Sequence, residues 1–285
     1  MLLELLLSLS LMSQISDKII NQKDSSYSLI KEQKQKSSAV PILCYHWVVP
    51  ENHKILKNAR RYAQTTEEFR KTIKYYKEKN FCFLTVNEFD SIYSAYKISE
   101  KPKEDTSKYV LITIDDGLKC IYDYAYPILL EEKVKATLFV TNRCVEDSQH
   151  NLRLSWRDLK EMYGSGFVDI QSHTYNSHIL VKEEDNLNSI LTVRKNNEDE
   201  KQYESRIFRD LSKSKKEIEE KLGNKVTSIA WPFGIYNEKI IKIAKMAGYK
   251  NTFTVCGNNF YFNKKYQTLP RIEVRADNNN KTKSN

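Results

Sequence analysis

Strand and helix alternate throughout this chain, and the strands are continuous apolar runs. In order they read "AVPILCYHWVV", "FCFLTV", "YVLITID", "KATLFVTN", "FVDIQSHT", "VTSIAWPFG", "YKNTFTVCG" and "QTLPRIEV". Strands apolar on both faces are covered on both faces, which predicts a parallel β/α architecture, either a barrel or a doubly wound sheet. The helices between them carry their own punctuation. "TTEEFRKTIKYYKEKN" has a Thr cap and acids in its first turn. "NEFDSIYSAYK" is a second helix, and "YDYAYPILLEEK" a third with proline near its start. "SWRDLKEMYGSG" is capped by Ser155 and ended by glycine, "RIFRDLSKSKKEIEEKLGN" is closed by Gly223, and "NEKIIKIAKMAG" is capped by Asn237. Residues 101–108 read as a loop, and 181–204 as a long polar excursion.

Ligands of such folds bind at the C-terminal ends of the strands. "TIDDG", "QSHT" and "AWPFG" gather polar residues there. Asp115 and Asp116 repel each other and resist leaving water, so an Asp pair ending a buried strand needs a reason. An Asp-Gly turn or a helix cap is one. A cation is another. His173 and His178 are five apart, roughly 140° around a helix, so one helix face could not present both. At a strand end and in the following loop they could converge. Two imidazoles and one carboxylate make a catalytic zinc-type set with open positions, and the Asp pair offers that carboxylate and a spare. Successive strand side chains point opposite ways, so one acid can ligate while its neighbour faces water.

The chain has 285 residues, enough for one large domain or two small ones, and a formal charge of +9. That charge favours anionic surfaces such as a cell envelope, acidic glycans or nucleic acid. Zinc-finger spacing, an RNA-binding aromatic signature and a dense basic stripe are all missing, which disfavours nucleic acid. Five cysteines, an odd number, form no paired framework; Cys44, Cys82 and Cys256 lie in apolar runs and are expected as buried free thiols. "MLLELLLSLSLMSQIS" (residues 1–16) is too short to span a bilayer as it stands. It is like the apolar part of a secretory signal but lacks a basic start and contains Glu4. It reads as a weak signal or anchor, or as an amphipathic helix on the domain. Residues 17–38 read as a polar linker, 39–277 as the domain, and 278–285 as a disordered tail.

The motifs together resemble the polysaccharide deacetylase family, carbohydrate esterase family 4, from about Pro41 to Val274. "TIDDG" is similar to the family's first motif, and "SHTYNSH" to its metal-binding His pair. The five-residue spacing, with "PILCYH", "LSWRDLKEM" and "LPRIEV", resembles the branch acting on poly-β-1,6-N-acetylglucosamine of biofilms. The resemblance implies a distorted (β/α) barrel, complete or incomplete, with mostly parallel strands. It implies metal-dependent hydrolysis of N-acetyl groups from an N-acetylglucosamine polymer. Asp115 would be the general base on metal-bound water. Asp116, His173 and His178 would hold one divalent ion, zinc first, with cobalt, nickel or iron also suited to the set. Phe233 would offer its main-chain N–H to the oxyanion.

Two departures stand out. The family often carries Arg shortly before this Pro, where this chain has Ser228-Ile229-Ala230-Trp231; Arg271 is the candidate replacement. The family's last motif often carries a His acid, and "LPRIEV" has none. Asp115 could serve both steps, or His46 contribute; His46 equally suits a place behind a ligand. Trp156 and Trp231 are further candidates for substrate or supporting contacts, with a core role open for Trp156. Peptidoglycan, chitin or acetyl-xylan are alternative substrates, and a glycan-binding member without turnover is another reading. The expected setting is extracytoplasmic, secreted or at the cell surface or membrane, with an acetylated polysaccharide as partner and a monomeric protein.

Overall fold

The computed structural model describes residues 39–54, 60–99, 108–145, 152–183 and 186–275. The signal-like segment, the linker, the tail and most of the 101–108 loop lie outside the described residues. Eight strands form one sheet: β1 Ile42–Tyr45, β2 Cys82–Phe83, β3 Tyr109–Ile114, β4 Ala136–Val140, β5 Val168–Ser172, β6 Ser228–Ala230, β7 Asn251–Phe253 and β8 Ile272–Glu273. The order is β7-β6-β5-β4-β3-β1-β8, with β2 against the start of β3, and every pairing is parallel. The sheet curls: Leu269, three residues ahead of β8, bridges Phe253 of β7 and donates its N–H to Thr252 O. The result is a distorted, mostly parallel barrel, as the resemblance implies.

Strand parity divides the core. Leu43, Tyr45, Ile112, Ile114 and Leu138 face a large cluster shared with the outer helices α1 (Thr66–Glu78), α3 (Tyr126–Glu132), α4 (Trp156–Gly164), α5 (Glu200–Leu222) and α6 (Glu238–Met246). Ile42, Leu111, Phe139, Ala230 and Phe253 face the other way, into a smaller cluster closed by Phe89 and Tyr93 of α2 (Val86–Ser99) and by Phe260 and Phe262. Asp115 follows β3 on the side of Leu111 and Thr113, so the same alternation aims it inward.

The caps sit where the sequence places them. Ser155 and Asp158 form a capping box, Thr65 and Glu68 another, Asn237 accepts from Ile240 N, and Gly223 ends α5 at φ +69°. Other boundaries differ. The first apolar run is broken at Pro41 and at His46, leaving β1 between the short strands Ala39–Val40 and Trp47–Val49. The polar excursion contains an antiparallel hairpin, Leu180–Glu183 with Asn186–Ser189, and α5 begins six residues before Arg206, capped by Asp199. Cys44 is buried as expected, but Cys82 and Cys256 are exposed. Cys82 points outward from a two-residue strand while Phe83 takes the inward position, and Cys256 lies beyond the end of β7. All five thiols are free. Among the described residues no helix is long and apolar enough to cross a membrane.

Candidate active site

Asp116, His173 and His178 come together at the C-terminal ends of β3 and β5, with ligating atoms within 4.8 Å of one another. Asp116 Oδ1 lies 3.3 Å from His178 Nε2 and 3.6 Å from His173 Nε2. His173 is buried, while Asp116 and His178 are half-buried and so reachable from solvent. His173 Nδ1 lies 2.9 Å from the Ala230 carbonyl oxygen. A carbonyl only accepts, so Nδ1 carries the proton and Nε2 presents its lone pair toward Asp116. Burial pushes His173 down to about 4, leaving a neutral imidazole at neutral pH. Burial opposes the ionisation of Asp116, but the His178 hydrogen bond and nearby imidazole charge hold it well below the usual carboxylate range. A neutral lone pair, a second imidazole and an ionised carboxylate fit a divalent cation.

The backbone that aims these groups is strained. Asp116 (φ +76°), Thr174 (φ +76°) and Phe233 (φ +61°) occupy the left-handed region without being glycine. Such residues persist only where their surroundings enforce them. Arg153 donates to the Asp116 carbonyl at 2.7 Å. The His173–His178 loop is held from α5: Asp210 accepts from Tyr175 N (3.0 Å), Asn176 N (2.9 Å) and Ser177 Oγ (2.9 Å). Burial raises the Asp210 carboxyl above its usual range despite these donors. Gly234 follows Phe233 at φ +69°, and a Cβ there would meet Val255 N at 3.0 Å, so only glycine fits.

Asp115 sits in a fully buried ion pair beside this trio. Arg271 grips it with two hydrogen bonds, Nη1 to Oδ1 and Nη2 to Oδ2, both 2.7 Å. Arg271 also donates to Thr113 Oγ1 (3.2 Å) and Thr254 O (3.3 Å), so its fork is fixed on three sides. Burial pushes Asp115 up, but the charge and hydrogen bonds of Arg271, together with the nearby His173 and His46, outweigh it, and the carboxyl ends below its ordinary range. Cys44 donates its S–H to Asp115 Oδ2 at 3.5 Å; burial pushes that thiol well up, so it stays neutral. His46, two residues on along the same face, has a ring nitrogen within 4.8 Å of both Cys44 Sγ and an Asp115 oxygen. It is buried, and its Nδ1 has no hydrogen-bond partner among the described residues.

Phe233 packs its ring, tilted by 56°, 4.4 Å from that of His178, which puts the "WPFG" turn at the rim of the trio. Trp231 is fully buried in the larger core cluster with its Nε1 unpartnered among the described residues, so it packs beneath the site and lies off any path for substrate. Trp156 is half-buried against the same cluster, with Lys221 Nζ 5.9 Å over its ring. Sequence reasoning missed Asp210, the Ala230 carbonyl and the contact of Cys44 with Asp115. Only the last left a signal, the spacing of two between Cys44 and His46 on a strand.

Residues 102–252 match the family described as polysaccharide deacetylase. The poly-β-1,6-N-acetyl-D-glucosamine N-deacetylase of Staphylococcus aureus (strain MRSA252) is 31% identical over 258 residues, covering 87% of this chain and 82% of that protein. The protein of the same name from Staphylococcus epidermidis is 32% identical over 223 residues, 78% of this chain and 71% of its own. Among solved structures, IcaB from Ammonifex degensii superposes with a TM-score of 0.68 at 24% identity, over 84% of this chain and 93% of that one. A de-N-acetylase from Aggregatibacter actinomycetemcomitans gives a TM-score of 0.70 at 20% identity, over 83% and 95%. At those identities the structures speak for the fold alone.

Proposed function

The chain belongs to the polysaccharide deacetylase family of metal-dependent hydrolases, and on that premise we propose that it removes N-acetyl groups from poly-β-1,6-N-acetylglucosamine. The observation that carries the reading is the convergence of Asp116, His173 and His178 beside a carboxylate, Asp115, clamped by Arg271. The named activity of the staphylococcal relatives supports the choice of polymer.

Asp116, His173 and His178 would hold the ion. Bound there, a divalent cation, zinc by its donor set, supplies Lewis acidity toward water and the acetamide carbonyl. The rest is the work of this chain's side chains and backbone. Asp115, ionised and fixed by Arg271, accepts the proton of the attacking water. Oδ2 takes both Arg271 and the Cys44 S–H, but Oδ1 bonds only the guanidinium and keeps a second lone pair, so the clamp leaves Asp115 able to do so. The Phe233 main-chain N–H donates to the carbonyl oxygen as it becomes negative. When the C–N bond breaks, the leaving nitrogen needs a proton. It comes from Asp115 or from His46, whose ring lies next to Asp115. The products are acetate and a glucosamine unit that is cationic at neutral pH.

Arg271 supplies the guanidinium that the "SIAWP" stretch lacks, which argues for turnover over mere glycan binding. Work on such a polymer fits an extracytoplasmic setting, secreted or anchored at the cell surface or membrane. The test is acetate release from a β-1,6-linked N-acetylglucosamine pentamer. Chelator should abolish it and zinc should restore it. Asp115→Asn should lose at least about 100-fold in rate while retaining one equivalent of metal. Release unchanged by chelator, or an undiminished Asp115→Asn, overturns the reading.

A further inference from the structure

The polar excursion that the sequence leaves without a role builds the wall of a cavity of about 550 Å3. That size lies within the range of about 300–1,000 Å3 of ligand clefts. Glu183, Arg194, Lys195, Asn196, Asn237 and Lys239 are among the residues that line it. The wall is a built one. Arg206 of α5 donates to both oxygens of Glu198 (2.7 and 3.0 Å) and to the carbonyls of Ile190 (3.1 Å) and Val193 (2.9 Å). Lys195 N donates to Glu198 Oε2, and the buried Tyr203 donates its hydroxyl to Leu191 O. The loop before α5 is therefore pinned from α5 at four residues, Ile190, Leu191, Val193 and Glu198, while its outward side chains stay exposed.

Both sides of the cavity are direct continuations of the active-site loops. Glu183 follows His178 by five residues, and Asn237 follows Phe233 by four. At the full reach of an extended chain these lie within about 18 and 14 Å of those residues, a span that a short stretch of sugar chain covers.

We infer that this cavity is a subsite for a hexosamine unit of the same polymer, beyond the unit being hydrolysed; the inference rests on the deacetylase reading above. The lining suits that ligand. Arg194 and Lys195 form no ion pair among the described residues, so they can donate to ring hydroxyls and to an acetamide oxygen. Glu183 can accept from a hydroxyl or from the ammonium of a unit already deacetylated. Asn196 and Asn237 carry both donor and acceptor. The one aromatic lining residue, Tyr203, is buried, so recognition is by hydrogen bonds and not by ring stacking. A subsite of this kind makes the enzyme prefer long chains over short ones, since a remote unit bound equally in the ground and transition states lowers KM without changing kcat.

The test uses Arg194→Ala/Asn196→Ala and, separately, Glu183→Gln. Each is first measured for affinity on an Asp115→Asn background, by calorimetric titration with β-1,6-linked N-acetylglucosamine pentamer and dimer. The double variant should bind the pentamer about tenfold more weakly and the dimer unchanged. In the active background its KM for pentamer should rise by a similar factor, with kcat, metal content and melting temperature held. Glu183→Gln should lose affinity for a partly deacetylated pentamer more than for the fully acetylated one. Equal pentamer affinity in the double variant and the parent overturns the subsite. Failure of the parent to release acetate from either length overturns the deacetylase reading instead, and the binding measurements still judge the cavity.

Discussion

Replacing Asp210 with alanine removes the carboxylate that α5 sends to the loop between the two candidate imidazole ligands. Three hydrogen bonds disappear, from Tyr175 N, Asn176 N and Ser177 Oγ. Their loss is unequal. Asn176 is exposed and Tyr175 half-buried, so water replaces the acceptor for those two N–H groups. Ser177 is buried, and its hydroxyl is left without a partner. A buried unsatisfied group costs about 1–3 kcal/mol, and burying the carboxylate was itself unfavourable, so the loss in global stability should stay near the lower end. The larger effect is local. Thr174 opens this loop at φ +76°, a conformation that relaxes, gaining about 1–2 kcal/mol, once the anchors are gone. His178 follows Ser177 directly. A supporting partner of a metal ligand is worth about 10–100-fold in affinity, which is the same size as that relaxation. We therefore expect Asp210→Ala to weaken zinc binding by about 10–100-fold and to lower acetate release at limiting zinc. Saturating zinc should recover most of the rate. Competition against a colorimetric chelator gives the affinity, and melting with and without zinc gives the linked stability. An affinity within twofold of the parent in a folded variant refutes the argument that Asp210 holds the loop in its binding geometry.

Two further outcomes follow from buried charge. Arg271→Lys keeps the charge but cannot form the two-pronged contact with Asp115, so stability should fall by about 1–3 kcal/mol and kcat at least about tenfold with metal content unchanged, read by melting and acetate release. Asp169, on β5 at the opposite end from the candidate ligands, is pushed up to about 7 by burial, against hydrogen bonds from Gln171 and Asn87. Ionising it in the folded state is unfavourable, so this group's contribution falls as pH rises from its unfolded value near 3.8 through 7. Asp169→Asn should therefore stabilise the protein more at pH 8 than at pH 5, by about 2 kcal/mol, measured by denaturant titration at both pH values.

What the chain announces locally and what it does not divide along sequence separation. Thr65, Ser155, Asn237 and Gly223 are legible because a cap is made within four residues, where side chain and backbone meet whatever the tertiary fold. The strand interiors are legible because burial on both faces demands uninterrupted apolar residues. Their ends are less so: "VTSIAWPFG" contributes only Ser228–Ala230 to the sheet, since Pro232 has no N–H to extend the ladder and opens a 3-10 turn there. Cys82 shows the same limit, an apolar neighbourhood whose two-residue strand turns the thiol outward. The start of α5 was hidden because Glu200–Ser205 is almost all polar and its N-terminal turns carry only Tyr203 inward.

By itself the sequence determined that strands and helices would alternate, and that the "DD", "SHTYNSH" and "WPFG" groups would stand at strand ends. Period-two alternation and local capping fix those features without long-range information. Only the tertiary structure decided which partner meets which: Arg271 reaches Asp115 across 156 residues of chain, Ala230 sets the tautomer of His173 from 57 away, and Asp210 steadies a loop some 35 residues behind it. Such contacts are made by the curl of the sheet and the packing of α5 against it. No window of neighbouring residues contains both halves of any of them.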